Sequence, residues 1–174
     1  MTINKGVEWA AHGLAILAVV PESRALSAEA LAEFHDLPPA YMAKQMQALA
    51  KAGLVTTHRG PKGGYRLSRS PEEISLLDIY LAIEGGGSMF QCTEIRQQGV
   101  CPSRRQDCKS PCGVAQGFYD AEKAFRDILK KKPLTEIIAS AAAGMTPSRA
   151  AKFVNWIETS ASTLQRPIGK SAGA

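Results

Sequence analysis

Cys92, Cys101, Cys108 and Cys112 are the only cysteines in this chain of 174 residues, and all four fall between positions 92 and 112. Thiols gather for two main chemical reasons: to hold a soft metal centre, or to exchange electrons as thiol and disulfide. The spacing C-x8-C-x6-C-x3-C matches no paired hook of a common structural zinc site. Iron–sulfur clusters accept longer, irregular loops because they span two or more metal atoms. Arg104, Arg105 and Lys109 are near in sequence and are expected to favour the thiolate. Glu8 and His12 form a second potential donor pair, four residues apart and so on one helix face beside Trp9. On spacing alone such a pair is most often an ordinary i, i+4 contact. His35 and His58 read as surface or DNA-proximal residues.

These side chains need elements to hold them. Apolar residues from Val7 to Ala18 recur at helical spacing, with Pro21 as the stop. Ser27 is a plausible N-cap for a short second helix with Leu31 and Phe34 inward. A third helix starts near Pro38 or Pro39 and runs to about Ala52, burying Met42, Met46 and Leu49, with Gly53 at its end. Two β-prone runs, Leu54 to His58 and Gly64 to Ser68, flank the turn Arg59-Gly60-Pro61-Lys62-Gly63. Three helices followed by a β-ribbon make a winged helix-turn-helix.

In that arrangement the second helix of the pair enters the major groove. Its outward face carries Tyr41, Lys44, Gln45 and Lys51, suited to base edges and phosphates. The ribbon holds Arg59, Lys62, Arg66 and Arg69 with no acid between His58 and Arg69, a pattern that fits backbone phosphates. A net charge of +5 agrees with a polyanionic partner.

Beyond the ribbon, Ser75 to Glu84 reads as a helix ended by Gly85-Gly86-Gly87, and the thiol loop follows. Val114 to Lys131 is a long amphipathic helix with Phe118, Ala121, Phe125, Ile128 and Leu129 on one face. Pro133 breaks it, Leu134 to Ala143 and Pro147 to Ser160 are helical, and Met145 to Ser162 is expected to pack on the long helix. The fold class is therefore mainly α with a small β-ribbon. The divisions are 1–70 for the winged helix, 71–132 for the loop and long helix, 133–164 for the C-terminal helices, and 165–174 for a disordered tail.

There is no signal-peptide pattern, and the longest apolar run, Gly13 to Pro21, is too short to span a bilayer. A cytoplasmic protein with reduced thiols is expected. No nucleophile–base–orienter set or phosphate loop is apparent, so neither catalysis nor a small-molecule substrate is expected.

The chain resembles the Rrf-type iron–sulfur winged-helix regulators, the group with IscR-like, NsrR-like and RsrR-like members. The resemblance spans about residues 1–134. It rests on Lys5-Gly6, Pro39-Ala40-Tyr41-Met42, Leu49 to Val55, the wing from Arg59 to Leu67, and the thiol loop after Leu77-Asp78-Ile79. Gly6 to His12 and Cys92-Thr93-Glu94-Ile95-Arg96-Gln97 are most similar to the RsrR-like redox sensors. That branch implies a 2Fe-2S cluster held by Cys92 and Cys112 of one protomer and by Glu8 and His12 of the other. It implies a homodimer seamed along the long helix, acting on a near-palindromic double-stranded operator, most often as a repressor. Trp9 becomes the candidate for passing the cluster's state to the reading heads. Cys92, Cys101 and Cys108 also follow the three-cysteine pattern of the IscR-like and NsrR-like members, so an iron- or nitric-oxide-responsive three-Cys site stays open. So do a cluster-free thiol/disulfide sensor and a structural zinc protein.

Overall fold

A computed structural model of the chain describes residues 2–60 and 63–164. The first helix, α1 (Lys5–Leu17), starts two residues earlier than its apolar periodicity suggests. The Asn4 side chain caps it by accepting from the Gly6 N–H at 2.8 Å. It ends four residues short of Pro21. Helix α2 (Ala28–Phe34) is capped as expected, with the Ser27 hydroxyl accepting from the Ala30 N–H. Helix α3 (Pro39–Lys51) places proline at its first position and closes on Gly53, whose φ of 71° suits a residue without a Cβ.

Strands β2 (Val55–His58) and β3 (Gly64–Leu67) form the antiparallel wing, with Val55 opposite Leu67 and His58 opposite Gly64. A short strand β1 (Arg24–Ala25) precedes α2, and the residue after it, Leu26, bridges to Tyr65 on the free edge of β3. Gly64 permits this: a Cβ there would lie 2.5 Å from the Leu26 carbonyl oxygen. Leu14, Leu26, Leu31, Met42, Met46, Leu49 and Leu54 are fully buried where α1, α2, α3 and the wing meet. This is the winged helix-turn-helix expected from the order of elements.

A single 3₁₀ turn (Pro71–Glu73) leads into α4 (Leu76–Glu84). A reciprocal Ser75–Asp78 capping box starts α4, and Gly85 stops it at φ 87°. The thiol loop contains only two 3₁₀ turns, Ile95–Gln97 and Arg105–Asp107, before α5 (Gly113–Lys130). Ala115 is the single buried residue of α5, while Val114, Phe118 and Ile128 are exposed. Phe125 packs edge-to-face on Tyr80 of α4 at 5.3 Å, so the apolar side of α5 is covered only in part among the described residues. After α5 the chain turns back at Pro133, and the Leu134 N–H donates to the Ile74 carbonyl at 2.7 Å.

Helix α6 (Leu134–Ala143) packs on α1, and α7 (Pro147–Ser160) continues past it. The expectation that this last segment lies on the long helix is corrected. The ring of Phe34 on α2 meets Trp156 at 4.5 Å and Phe153 at 5.4 Å. Strand β4 (Ser162–Thr163) then pairs antiparallel with β1. Phe34 faces inward as expected, half-buried against the core and covered by α7. Two β1–β4 residue pairs cannot be read from periodicity, because strands of that length have none. The expected disordered tail, 165–174, lies outside the described residues. No described helix is long and apolar enough to cross a membrane.

Candidate metal centre and nucleic-acid interface

Helix α3 displays one polar face to solvent. Tyr41 is 57 % exposed, and Lys44 and Lys51 are also exposed. Gln45 is not: it is 6 % exposed, against the start of α1, where a Cβ on Gly6 would come within 2.7 Å of its Oε1. Its assignment as a DNA-reading residue is therefore corrected. Residue 45 follows Met42 by three and precedes Leu49 by four, so it belongs to the buried stripe. The polar residue missed on the outer face is Gln47, exposed in line with Lys44 and Lys51. The spacing 40, 44, 47, 51 carried that signal.

In the wing, Arg59 is exposed and Lys62 lies outside the described residues. Arg66 is half-buried and donates to the Glu22 carbonyl at 3.1 Å, bracing the wing against the loop after α1. His35 and His58, expected at the surface or near DNA, are half-buried, each with a buried Nε2 that has no partner among the described residues. Burial, foremost, and the neighbouring His12 hold the His35 pKa below the ordinary imidazole range.

Glu8 and His12 are exposed on one side of α1 and have no hydrogen bond or ion pair among the described residues. His12 lies beside His35, ring centres 5.4 Å apart, at the edge of a groove of about 1000 Å³ between α1, α2, α6 and α7. Trp9 is half-buried and meets Tyr41 edge-to-face at 5.8 Å. One aromatic contact thus separates the Glu8/His12 segment from the first turn of α3.

All four thiols are free, with Cys92 and Cys101 exposed and Cys108 and Cys112 half-buried. Cys112 occupies the N-cap position of α5. The Ala115 N–H, foremost, holds the Cys112 thiol below its usual pKa, helped by the Val114 N–H and by Arg96 against desolvation and the Glu94 carboxylate. A thiolate is the form that binds a metal. The cation acting on it is not one of those expected from sequence: Arg104 is paired with Asp107 at 2.8 Å. Arg96 is the cation that acts on the Cys112 thiol.

The loop is tied to α5 by other contacts. Glu122 accepts from the Ser88 hydroxyl at 2.7 Å and the Met89 N–H at 3.0 Å, and pairs with Arg126, which also donates to the Gly87 carbonyl. The Phe90 ring stacks on Phe118, centres 4.6 Å apart. Within the single chain, no three His, Cys, Asp or Glu side chains converge as a metal site among the described residues. The structure therefore brings Glu8 and His12 together on α1, but assembles no three-Cys site in one chain.

A family model described as Rrf2, iron-dependent transcriptional regulator, matches residues 3–140. A putative HTH-type transcriptional regulator, YwgB of Bacillus subtilis, is 37% identical over 138 residues, covering 79% of this chain and 85% of that protein. Among solved structures, T. potens IscR superposes with a TM-score of 0.60 at 22% identity, covering 84% of this chain and 93% of that one. The oxidized form of Staphylococcus aureus CymR gives 0.58 at 26% identity, covering 79% and 96%.

Proposed function

The chain belongs to the Rrf2 family of DNA-binding transcriptional regulators, and on that premise we propose that it senses redox state through a 2Fe-2S cluster shared between two protomers. Cys92 and Cys112 of one protomer would hold it with Glu8 and His12 of the partner subunit. The observation that carries this reading is the division of the donors. Cys112 is tuned toward the thiolate at the start of α5, while among the described residues Glu8 and His12 make no hydrogen bond or ion pair and no three donors gather within one chain. When bound, such a cluster supplies a one-electron couple whose charge and ligation depend on redox state.

The chain's own residues then do the rest. Glu8 and His12 are rigidly spaced by α1, so a change in their positions moves the helix that carries Trp9. Trp9 bears on Tyr41, at the start of the reading helix. Lys44, Gln47 and Lys51 face the DNA from α3 and Arg59 from the wing, and the charge of Lys62 adds to the attraction. The exposed side of α5 forms the seam of a homodimer acting on a near-palindromic operator.

The test is anaerobic reconstitution followed by absorption spectroscopy, with Cys92→Ala and Cys112→Ala alongside. Visible charge-transfer bands in the wild type, lost in both variants, are expected; their persistence in both refutes the ligand assignment. A second reading, a disulfide switch without a cluster, draws on the four free thiols and on the likeness to a regulator solved in an oxidized form. It predicts a mobility shift on a non-reducing gel and no bound iron.

A further inference from the structure

Each group that Arg96 engages lies two residues from a cysteine. Its Nε donates to Glu94 Oε1 at 2.7 Å and its second nitrogen to Glu94 Oε2 at 2.9 Å, just past Cys92. That nitrogen also donates to the Ser110 carbonyl at 2.9 Å, just before Cys112. Its own carbonyl accepts from the Ser103 N–H at 2.8 Å, just past Cys101. The Glu94 N–H in turn donates to Cys92 Sγ at 3.4 Å.

Little else orders this segment. Its regular structure is two single 3₁₀ turns, and Ile95 and Val100 are exposed. Glu94 adopts φ 51°, uncommon for a residue with a Cβ, and the bidentate grip on its carboxylate opposes relaxation of that strain. The guanidinium charge also acts on the Cys108 and Cys112 thiols.

We infer that Arg96 is the positioning residue of the thiol loop. It latches the Cys92 and Cys112 arms together before any metal arrives and keeps a fixed positive charge beside the ligating sulfurs. This rests on the cluster reading above, yet its first part concerns the metal-free chain. A guanidinium suits both tasks, because its planar fork grips a carboxylate while spare N–H groups reach a carbonyl. Lysine would keep the charge and lose the fork.

The test compares full-length wild type with Arg96→Ala and Arg96→Lys. In the metal-free protein, amide exchange across residues 93–98 should be roughly tenfold faster in both variants, the scale expected on losing a charge-assisted hydrogen bond. In reconstituted protein, loss of the visible bands to a chelator should quicken by a similar factor in both variants. The midpoint potential should move negative in Arg96→Ala, because the added electron loses a nearby cation, and return toward wild type in Arg96→Lys. Unchanged exchange overturns the latch. Faster exchange with unchanged chelator loss and potential overturns the role toward the ligands. A wild type without visible bands refutes the cluster reading itself, and metal-free exchange then decides alone whether Arg96 holds the loop.

Discussion

A base edge or phosphate can be reached only by a side chain whose polar end stays in water, and on α3 that condition selects Tyr41, Lys44, Gln47 and Lys51. Gln45 satisfies the opposite condition, with its amide packed under Gly6. The two glutamines therefore predict different phenotypes. Gln47→Ala should weaken operator binding and leave the melting temperature near wild type. Gln45→Ala, which truncates a buried side chain, should lower stability by roughly 0.5–3 kcal/mol, with the loss read by denaturant titration. Lys44→Ala and Arg59→Ala should each reduce the salt dependence of operator binding by about one phosphate contact in a gel-shift series. An unchanged slope in either variant would remove that residue from the interface.

At the scale of elements, the winged helix was legible because several local signals agree. The Ser27 cap, the proline at the start of α3, Gly53 and the glycine-rich wing turn all point to the same boundaries. The candidate donors on α1 were also legible, since four-residue spacing on a helix fixes a shared face. What could not be read is where α7 and β4 go. Their partners, Phe34 and β1, lie more than a hundred residues away, and no local pattern encodes such a pairing. The loop was illegible for a related reason: its order comes from Arg96 and Glu122 reaching across it, not from a periodic stripe. The C-terminal segment yields its own expectation. Trp156→Ala should destabilise the head by roughly 1–3 kcal/mol, and Phe34→Ala by a similar amount. The double variant should lose less than the sum, because both changes remove the same contact. Strict additivity in thermal or denaturant unfolding would show that α7 does not bear on α2.

At the scale of the whole molecule, the donors on α1 and the exposed apolar residues of α5 are both accounted for by the proposed dimer. A single chain exposes Phe118 at 53 % and Ile128 at 61 %, and Glu8 and His12 make no hydrogen bond or ion pair among the described residues. Twofold assembly along α5 would cover the first pair and supply sulfur donors to the second, so dimerisation and cluster binding become one event. Two consequences separate this from a site built within one chain. Ile128→Glu, placing a charge in the seam away from the thiol loop, should yield a monomer by light scattering that holds no cluster although every cysteine is intact. Cys112→Ala and His12→Ala should each lack the cluster alone. Mixed through unfolding and refolding before reconstitution, half of the dimers would pair one chain of each kind, and each such dimer would carry one complete site. The visible absorbance should then recover to about a quarter of the wild-type value, the fraction that random twofold pairing gives. A site completed within one chain recovers nothing on mixing, because neither chain holds a full ligand set in any pairing.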